Sequence, residues 1–85
     1  MAEYRIFFRK SVKKDLSGTH KKDLKRILQK IESLAFEPRP VGCEKLSGQE
    51  KYRIRQGNYR IVYSIQDYEL TVWVVRIGHR KEVYR

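Results

Sequence analysis

KYRIRQGNYRIVYSIQDYELTVWVVRI, residues 51–77, decides the fold of this chain. Apolar and polar side chains alternate through it with period two, the signature of strands with one face buried. Two clusters of turn formers, Gln56-Gly57-Asn58 and Asp67-Tyr68, divide it. The pattern predicts strands at 52–55, 59–66 and 69–77 joined by tight turns, hence an antiparallel three-stranded meander. In the middle strand Tyr59, Ile61, Tyr63 and Ile65 leave one face, and Arg60, Val62, Ser64 and Gln66 leave the other. The same alternation separates Tyr52 and Ile54 from Arg53 and Arg55. Three arginines therefore converge on one side of the sheet if the register allows it.

Upstream, Tyr4, Ile6 and Phe8 alternate with Arg5 and Phe7 and read as a first strand. Ser11 is placed to cap a short helix, SVKKDL, that Gly18 ends. Leu24, Ile27, Leu28, Ile31, Leu34 and Ala35 recur at helical spacing, with Lys21, Lys22, Lys25, Arg26 and Lys30 mostly on other faces. Pro38 and Pro40 stop that helix, and 37–48 reads as an irregular connection. His20, between the helices, reads as a cap or a solvated side chain. Helices grouped together, followed by strands grouped together, predict an α+β fold: a small, mainly antiparallel sheet in the order β-α-α-β-β-β, with a helical hairpin on one face. The 85 residues allow one domain, 1–85, and leave the second sheet face available for chemistry.

The chain carries 20 Lys+Arg against 10 Asp+Glu, a formal charge of +10. Eleven basic residues fall in 1–40 and nine beyond, so the charge describes the surface of the folded domain and not a detachable tail. A polyanionic partner is the natural inference. The single cysteine, Cys43, excludes an internal disulfide and a cysteine-built four-ligand zinc site, and it fits a reducing, cytoplasmic setting. No stretch approaches the 18 or so consecutive apolar residues of a membrane span, so no membrane role is expected.

EKLSGQEKYRIRQGNYRIVYSI (44–65) followed by VWVVRIGHRKEVY (72–84) resembles the RelE branch of the RelE/ParE superfamily, the toxins of bacterial and archaeal toxin–antitoxin pairs. The resemblance covers nearly the whole chain. It implies a ribosome-dependent endoribonuclease that cuts mRNA in the ribosomal A site, and a RelB-like antitoxin that wraps the toxin. Operator DNA would be met only through the antitoxin complex.

Such cleavage needs a base for the ribose 2′-OH, cations for the charge building on the phosphoryl oxygens, and an acid for the departing oxygen. No metal-binding carboxylate cluster is visible in the sequence, so a route without metal or other cofactor is preferred. By motif, Arg60 and Arg80 match the family's phosphate-stabilising and leaving-group arginines. Tyr84 matches its C-terminal tyrosine, which orients the substrate or acts as base. Lys51, Arg53, Arg55 and Lys81 are the expected RNA-phosphate contacts. Arg53 and Arg55 stand where better-known members place lysines, and a guanidinium keeps electrostatic stabilisation but is a poor base. His79, the residue type whose imidazole most readily both gives and takes a proton, is the candidate to supply the missing base or acid.

Blander readings stand beside these. His79 is equally readable as a surface residue and Tyr84 as a frayed terminal aromatic. Trp73, alternating with Val72 and Val74, reads as packing and not as a base-stacking platform. Glu50 and Glu82 read as ion-pair partners of Arg53 or Lys81. Two other functions share the fold or the charge: a ParE-like inhibitor of DNA gyrase without nuclease activity, and a nucleic-acid-binding module that cuts nothing.

Overall fold

The computed structural model describes residues 3–46 and 50–79. The elements follow the order β1 (Arg5–Phe8), α1 (Lys10–Ser17), α2 (Lys21–Ser33), β2 (Glu44–Lys45), β3 (Lys51–Gln56), β4 (Tyr59–Gln66) and β5 (Thr71–His79). One five-stranded sheet has the spatial order β1-β5-β4-β3-β2. The meander β3–β4–β5 is antiparallel as the turn signals predict, and β2 pairs antiparallel with β3. β1 is the exception, lying parallel to β5 with Phe7 beside Trp73. The helices carry the chain away from β1, and β1 takes the free edge of the last strand.

The predicted α+β class and mainly antiparallel sheet are observed, with local differences that have physical causes. β2 is a two-residue strand inside the connection that the two prolines mark as irregular. α1 begins at Lys10, with Arg9 at its N-cap and no side-chain cap bond, so Ser11 lies inside the first turn and does not cap it. β5 begins at Thr71 and not at Glu69, because Leu70 takes a left-handed conformation (φ 50°) that prolongs the turn. Between β3 and β4, Gly57 supplies the positive φ (61°) that the tight reversal requires.

The core lies between the helices and one face of the sheet. Val12, Ile27, Ile31 and Leu34 from the helical layer meet Tyr52, Ile54, Ile61, Tyr63, Ile65, Val72, Val74 and Ile77 from the strands. Nearly all of these are the apolar members of the alternating pattern. β4 and β5 slip past one another between Val62 and Tyr63, where Val75 is the extra residue of a bulge. Without that slip Ile77 would turn away from the core.

α1 also solves an edge problem. β1 ends at Phe8, opposite Val74, and leaves the outer edge of β5 beyond it without a strand neighbour. There the Asp15 carboxylate accepts the backbone N–H of Ile77 at 3.0 Å. The helix thus closes the edge where the strand stops.

Candidate nucleic-acid interface

Register decides which cations share a face. Arg55 stands directly across from Arg60, Arg53 across from Val62, and Lys51 across from Ser64. On the other side of β4, Gly78 faces Arg60 and Arg76 faces Val62. Lys51, Arg53, Arg55, Arg60 and Arg76 therefore project from the sheet face turned away from the helices. Arg76 was not among the cations singled out in the sequence; only the register across the bulge shows which side it takes.

Arg60 occupies the middle of this face and is only 1% exposed, while Arg55 across from it is exposed. Gly78 is its other cross-strand neighbour. Burying a guanidinium costs several kcal/mol before its partners offset it, and facing like charges across a ladder adds to the cost. The arrangement fixes one planar donor fork at the sheet centre and sets a second beside it at the surface, which suits two-pronged contact with phosphate oxygens.

Arg53 is half-buried and donates to the Glu44 carboxylate of β2 at 2.8 Å. The acid paired with it is Glu44, not Glu50, which lies 3.9 Å from Lys45 instead. Cross-strand pairing of Glu44 with Arg53 accounts for the choice. Part of the charge of Arg53 is thus already balanced, which leaves Arg55 as the more available cation of the two.

His79 is separated from the arginines. Because Arg60 pairs with Gly78, the following residue turns to the opposite face, and His79 pairs with Tyr59 on the helix side. The two rings meet edge to face with centroids 5.7 Å apart. They border a cavity of about 310 Å³ shared with Lys14, Asp15, Gly18 and Thr19. The strand geometry thus sets His79, the candidate base or acid, on the sheet face opposite Arg60. Arg80, Lys81, Glu82 and Tyr84 lie outside the described residues.

The far end of the arginine face carries aromatic surface. Trp73 stacks on Phe7 with centroids 5.1 Å apart, and the Arg9 guanidinium lies 5.6 Å from the Trp73 ring centre. Arg5 lies similarly 5.7 Å from the Phe7 ring. Trp73 does pack, as its strand suggests, but on the open face and only partly covered. Stacked rings edged by guanidinium groups are a surface on which unpaired bases can stack. Period-two alternation marks Trp73 as facing away from Val72 and Val74, the signal from which this placement can be read.

The opposite, helix-side face has a different electrostatic character. Arg39, from the irregular connection, donates to both Asp67 carboxylate oxygens, at 3.2 and 2.9 Å, and to the Tyr52 hydroxyl at 3.1 Å. The Tyr4 hydroxyl also donates to Asp67 at 2.8 Å. The Arg39 bonds, followed by the Tyr4 bond, hold the Asp67 carboxyl below its ordinary pKa, and the bond to Asp67 raises the Tyr4 phenol in turn. Nearby, Tyr63 donates to the Pro38 carbonyl at 2.8 Å. Burial pushes its phenol well above the usual range, with the neighbouring Cys43 adding to the effect. These contacts pin the connection to the sheet and define no reactive centre.

Among the described residues no three His, Cys, Asp or Glu side chains are grouped as metal ligands. No described helix is long and apolar enough to cross a membrane.

The family model described as the ParE toxin of the type II toxin–antitoxin system parDE matches residues 6–84. Toxin RelG of Mycobacterium tuberculosis is 34% identical over 90 residues, covering 96% of this chain and 97% of that protein. The archaeal RelE–RelB complex of Pyrococcus horikoshii superposes with a TM-score of 0.83 at 30% identity, covering 92% of this chain and 96% of that one. The toxin–antitoxin complex RelBE2 of M. tuberculosis also gives 0.83, at 26% identity, covering 93% of this chain and 100% of that one.

Proposed function

This chain belongs to the ParE toxin family of type II toxin–antitoxin systems, within the RelE/ParE superfamily, and on that premise we propose that it is a ribosome-dependent endoribonuclease that arrests translation. The observation that carries the proposal is the arginine face, with Arg60 buried at its centre, Arg55 directly across and Arg53 and Lys51 alongside. A non-cutting docking surface gains nothing from sinking its central cation into the sheet. A site for a phosphate that becomes more negative in the transition state does, because a preorganised donor needs no reorganisation as charge develops.

In this reading the ribose 2′-oxygen attacks the adjacent phosphorus, the 2′-O–P bond forms and the P–O5′ bond breaks. The products are a 2′,3′-cyclic phosphate and a 5′-OH. Arg60 holds the non-bridging oxygens, Arg55, Arg53, Lys51 and Lys81 align the strand, and Arg80 serves the leaving 5′-oxygen. Tyr84 orients the substrate or receives the 2′-OH proton. His79, on the other side of the sheet, is assigned no step. No metal or other cofactor takes part. The aromatic end formed by Phe7 and Trp73 is available to a neighbouring unpaired base.

The partner is a RelB-like antitoxin that covers this face. The domain, 1–85, acts in the cytoplasm on ribosomes and mRNA, and meets operator DNA through the antitoxin complex. The ParE description of the family model supports a second reading, inhibition of DNA gyrase without RNA cleavage. Primer extension on a defined mRNA, with and without programmed ribosomes, separates the two. The expected result is new 5′ ends inside the A-site codon, dependent on ribosomes and lost with Arg80→Ala. Absence of cleavage together with blocked gyrase supercoiling would establish the second reading instead.

A further inference from the structure

One polar group on the open sheet face has a hydrogen bond left to make. Gln66, the last residue of β4, donates through its side-chain nitrogen to Ser64 Oγ at 3.2 Å. Its side-chain oxygen is buried and finds no hydrogen-bond partner among the described residues. Such an acceptor carries the full cost of desolvation, which a donor brought by a ligand would recover.

Register places this amide beside the aromatic pair. Ser64 is directly across from Trp73 and Gln66 directly across from Thr71, so Gln66 is the diagonal neighbour of Trp73 on the same face, within about 8 Å between Cα atoms. Trp73 stacks on Phe7 with centroids 5.1 Å apart, and the guanidinium groups of Arg9 and Arg5 lie 5.6 and 5.7 Å from the Trp73 and Phe7 ring centres. Phe7 and both arginines are exposed and Trp73 partly so. Rings, cations and an unmet acceptor thus meet at one end of the face. Ser64 lies four residues along β4 from Arg60, about 13 Å. A base held here therefore belongs to a different nucleotide from the one whose phosphate Arg60 holds.

Each component narrows the ligand. A duplex hides the faces of its bases, and an unpaired strand offers them to the rings. A carboxylate suits the arginines but only accepts hydrogen bonds, so it does not meet the Gln66 oxygen. Adenine combines the ring area of a purine with an exocyclic amine that donates, and uracil has the smaller ring and no amine.

We propose that Phe7, Trp73 and Gln66 form a base-reading subsite, in which an unpaired adenine stacks on the ring pair and gives its exocyclic amine to the Gln66 side-chain oxygen. The terminal amide torsion of glutamine is soft, so the oxygen turns toward the donor at little cost. Arg5 and Arg9 are left for the flanking phosphates. The inference deepens the nuclease reading, on which it rests for the identity of the strand as mRNA. It makes cutting depend on a base beside the scissile step as well as on the phosphate at Arg60.

Trp73 is the single tryptophan of the chain, so its fluorescence reports the subsite directly. The full chain is titrated with three short unpaired 2′-O-methylated strands: all uridine, uridine with one central adenine, and abasic throughout. The adenine strand is expected to quench the fluorescence and to bind about tenfold more tightly than the uridine strand, with no quench by the abasic one. Gln66→Leu should reduce that preference to about twofold and keep the quench, because a hydrogen bond is lost and stacking is not. Melting curves show that the variant folds, and the adenine–uridine contrast in the parent is a test that needs no variant. Equal affinity of the parent for the adenine and uridine strands would overturn the proposal. So would a quench as deep with the abasic strand, or the full adenine preference retained in Gln66→Leu. A quench by purified antitoxin and by none of the RNAs would overturn it in favour of a protein-docking face. The probes resist cleavage, so the two readings fail separately. Base-dependent quenching without ribosome-dependent cleavage would remove the proposed function and keep the subsite, and cleavage without base-dependent quenching would do the reverse.

Discussion

Arg39 and Arg60 are two arginines of one small domain in opposite circumstances. Arg39 sits on the loop before β2 with its side chain 44% exposed, and its guanidinium is matched to Asp67 and to Tyr52. Arg60 is 1% exposed at the centre of the sheet, with another arginine across the ladder. The first is placed where an ion pair is cheap to form and useful for holding a loop. The second is placed where a cation is costly, and an apolar residue there would serve the fold at least as well. The difference teaches which arginines the architecture needs and which the function needs. Removing Arg39 should loosen the protein with little change in activity per folded molecule, and removing Arg60 should do the opposite.

The largest expected effect is on Arg60. Arg60→Ala should lower ribosome-dependent cleavage by about 10²–10³-fold, the loss associated with one oxyanion donor at about 2.7–4 kcal/mol. Because the side chain is buried, Arg60→Met is the companion variant that fills most of the volume without the charge. Equal loss in the two variants, with cooperative melting retained, would locate the defect in charge. Recovery of cleavage in Arg60→Met would show that the residue is a packing element, and the contrast with Arg39 would collapse.

A smaller effect belongs to the Arg39 clamp and appears as a pH dependence. Asp67 has a folded-state pKa below its unfolded value, because its hydrogen bonds favour the carboxylate. Its contribution is therefore complete above the unfolded carboxylate range, near about pH 4, and is lost as pH falls through the lower folded value. Tyr4 runs the other way: its raised pKa gives stability that is present below the unfolded phenol range, near about pH 10, and is lost as pH rises further. Melting temperatures measured from pH 7 down to pH 2 should fall less steeply for Asp67→Asn than for the parent, from a lower starting point. Identical acid limbs would mean that the clamp seen between Arg39 and Asp67 contributes nothing in solution.

These contrasts also mark how far the sequence could be read. Alternation in 51–77 sufficed for three strands, for the faces of β3 and β4 and for the common side of Arg53, Arg55 and Arg60, because each depends only on local parity and short turns. β1 beside β5 was not legible, since a parallel pairing joins residues far apart in the chain and leaves no local signal. The bulge at Val75 has the same character: one extra residue reverses the parity of everything after it. Parity counted back from Ile77 alone would place Val75 in the core and Arg76 opposite; the observed slip is what puts Val74 inside. His79 shows the cost of reading a motif without its register. Adjacent to Arg80 in GHRKEVY, it nonetheless pairs with Tyr59 on the helix side. Arg39 drew no attention because a lone arginine between two prolines reveals its partner only when the turn at Asp67 folds over it.

Arg55 supplies the finest test of the comparison, because stability and function are expected to move in opposite directions at one position. It is exposed, its cross-strand neighbour is Arg60, and no described acid lies within ion-pair distance of it. Replacing it with threonine, a good strand former, removes a like charge from directly across the ladder and should stabilise the domain by about 0.2–1 kcal/mol. The same change should weaken binding of unpaired RNA and shallow its salt slope by about 0.7, as one phosphate contact is given up. Arg39→Met, by contrast, should lower stability and leave that slope alone. Melting curves and salt titrations on these two variants decide the matter. If Arg55→Thr destabilises the fold, Arg55 belongs with Arg39 among the residues that hold the architecture together, and the cationic face is smaller by one member. If it stabilises the fold while RNA binding falls, the sheet carries a cross-strand repulsion at Arg55 that serves binding and not the fold.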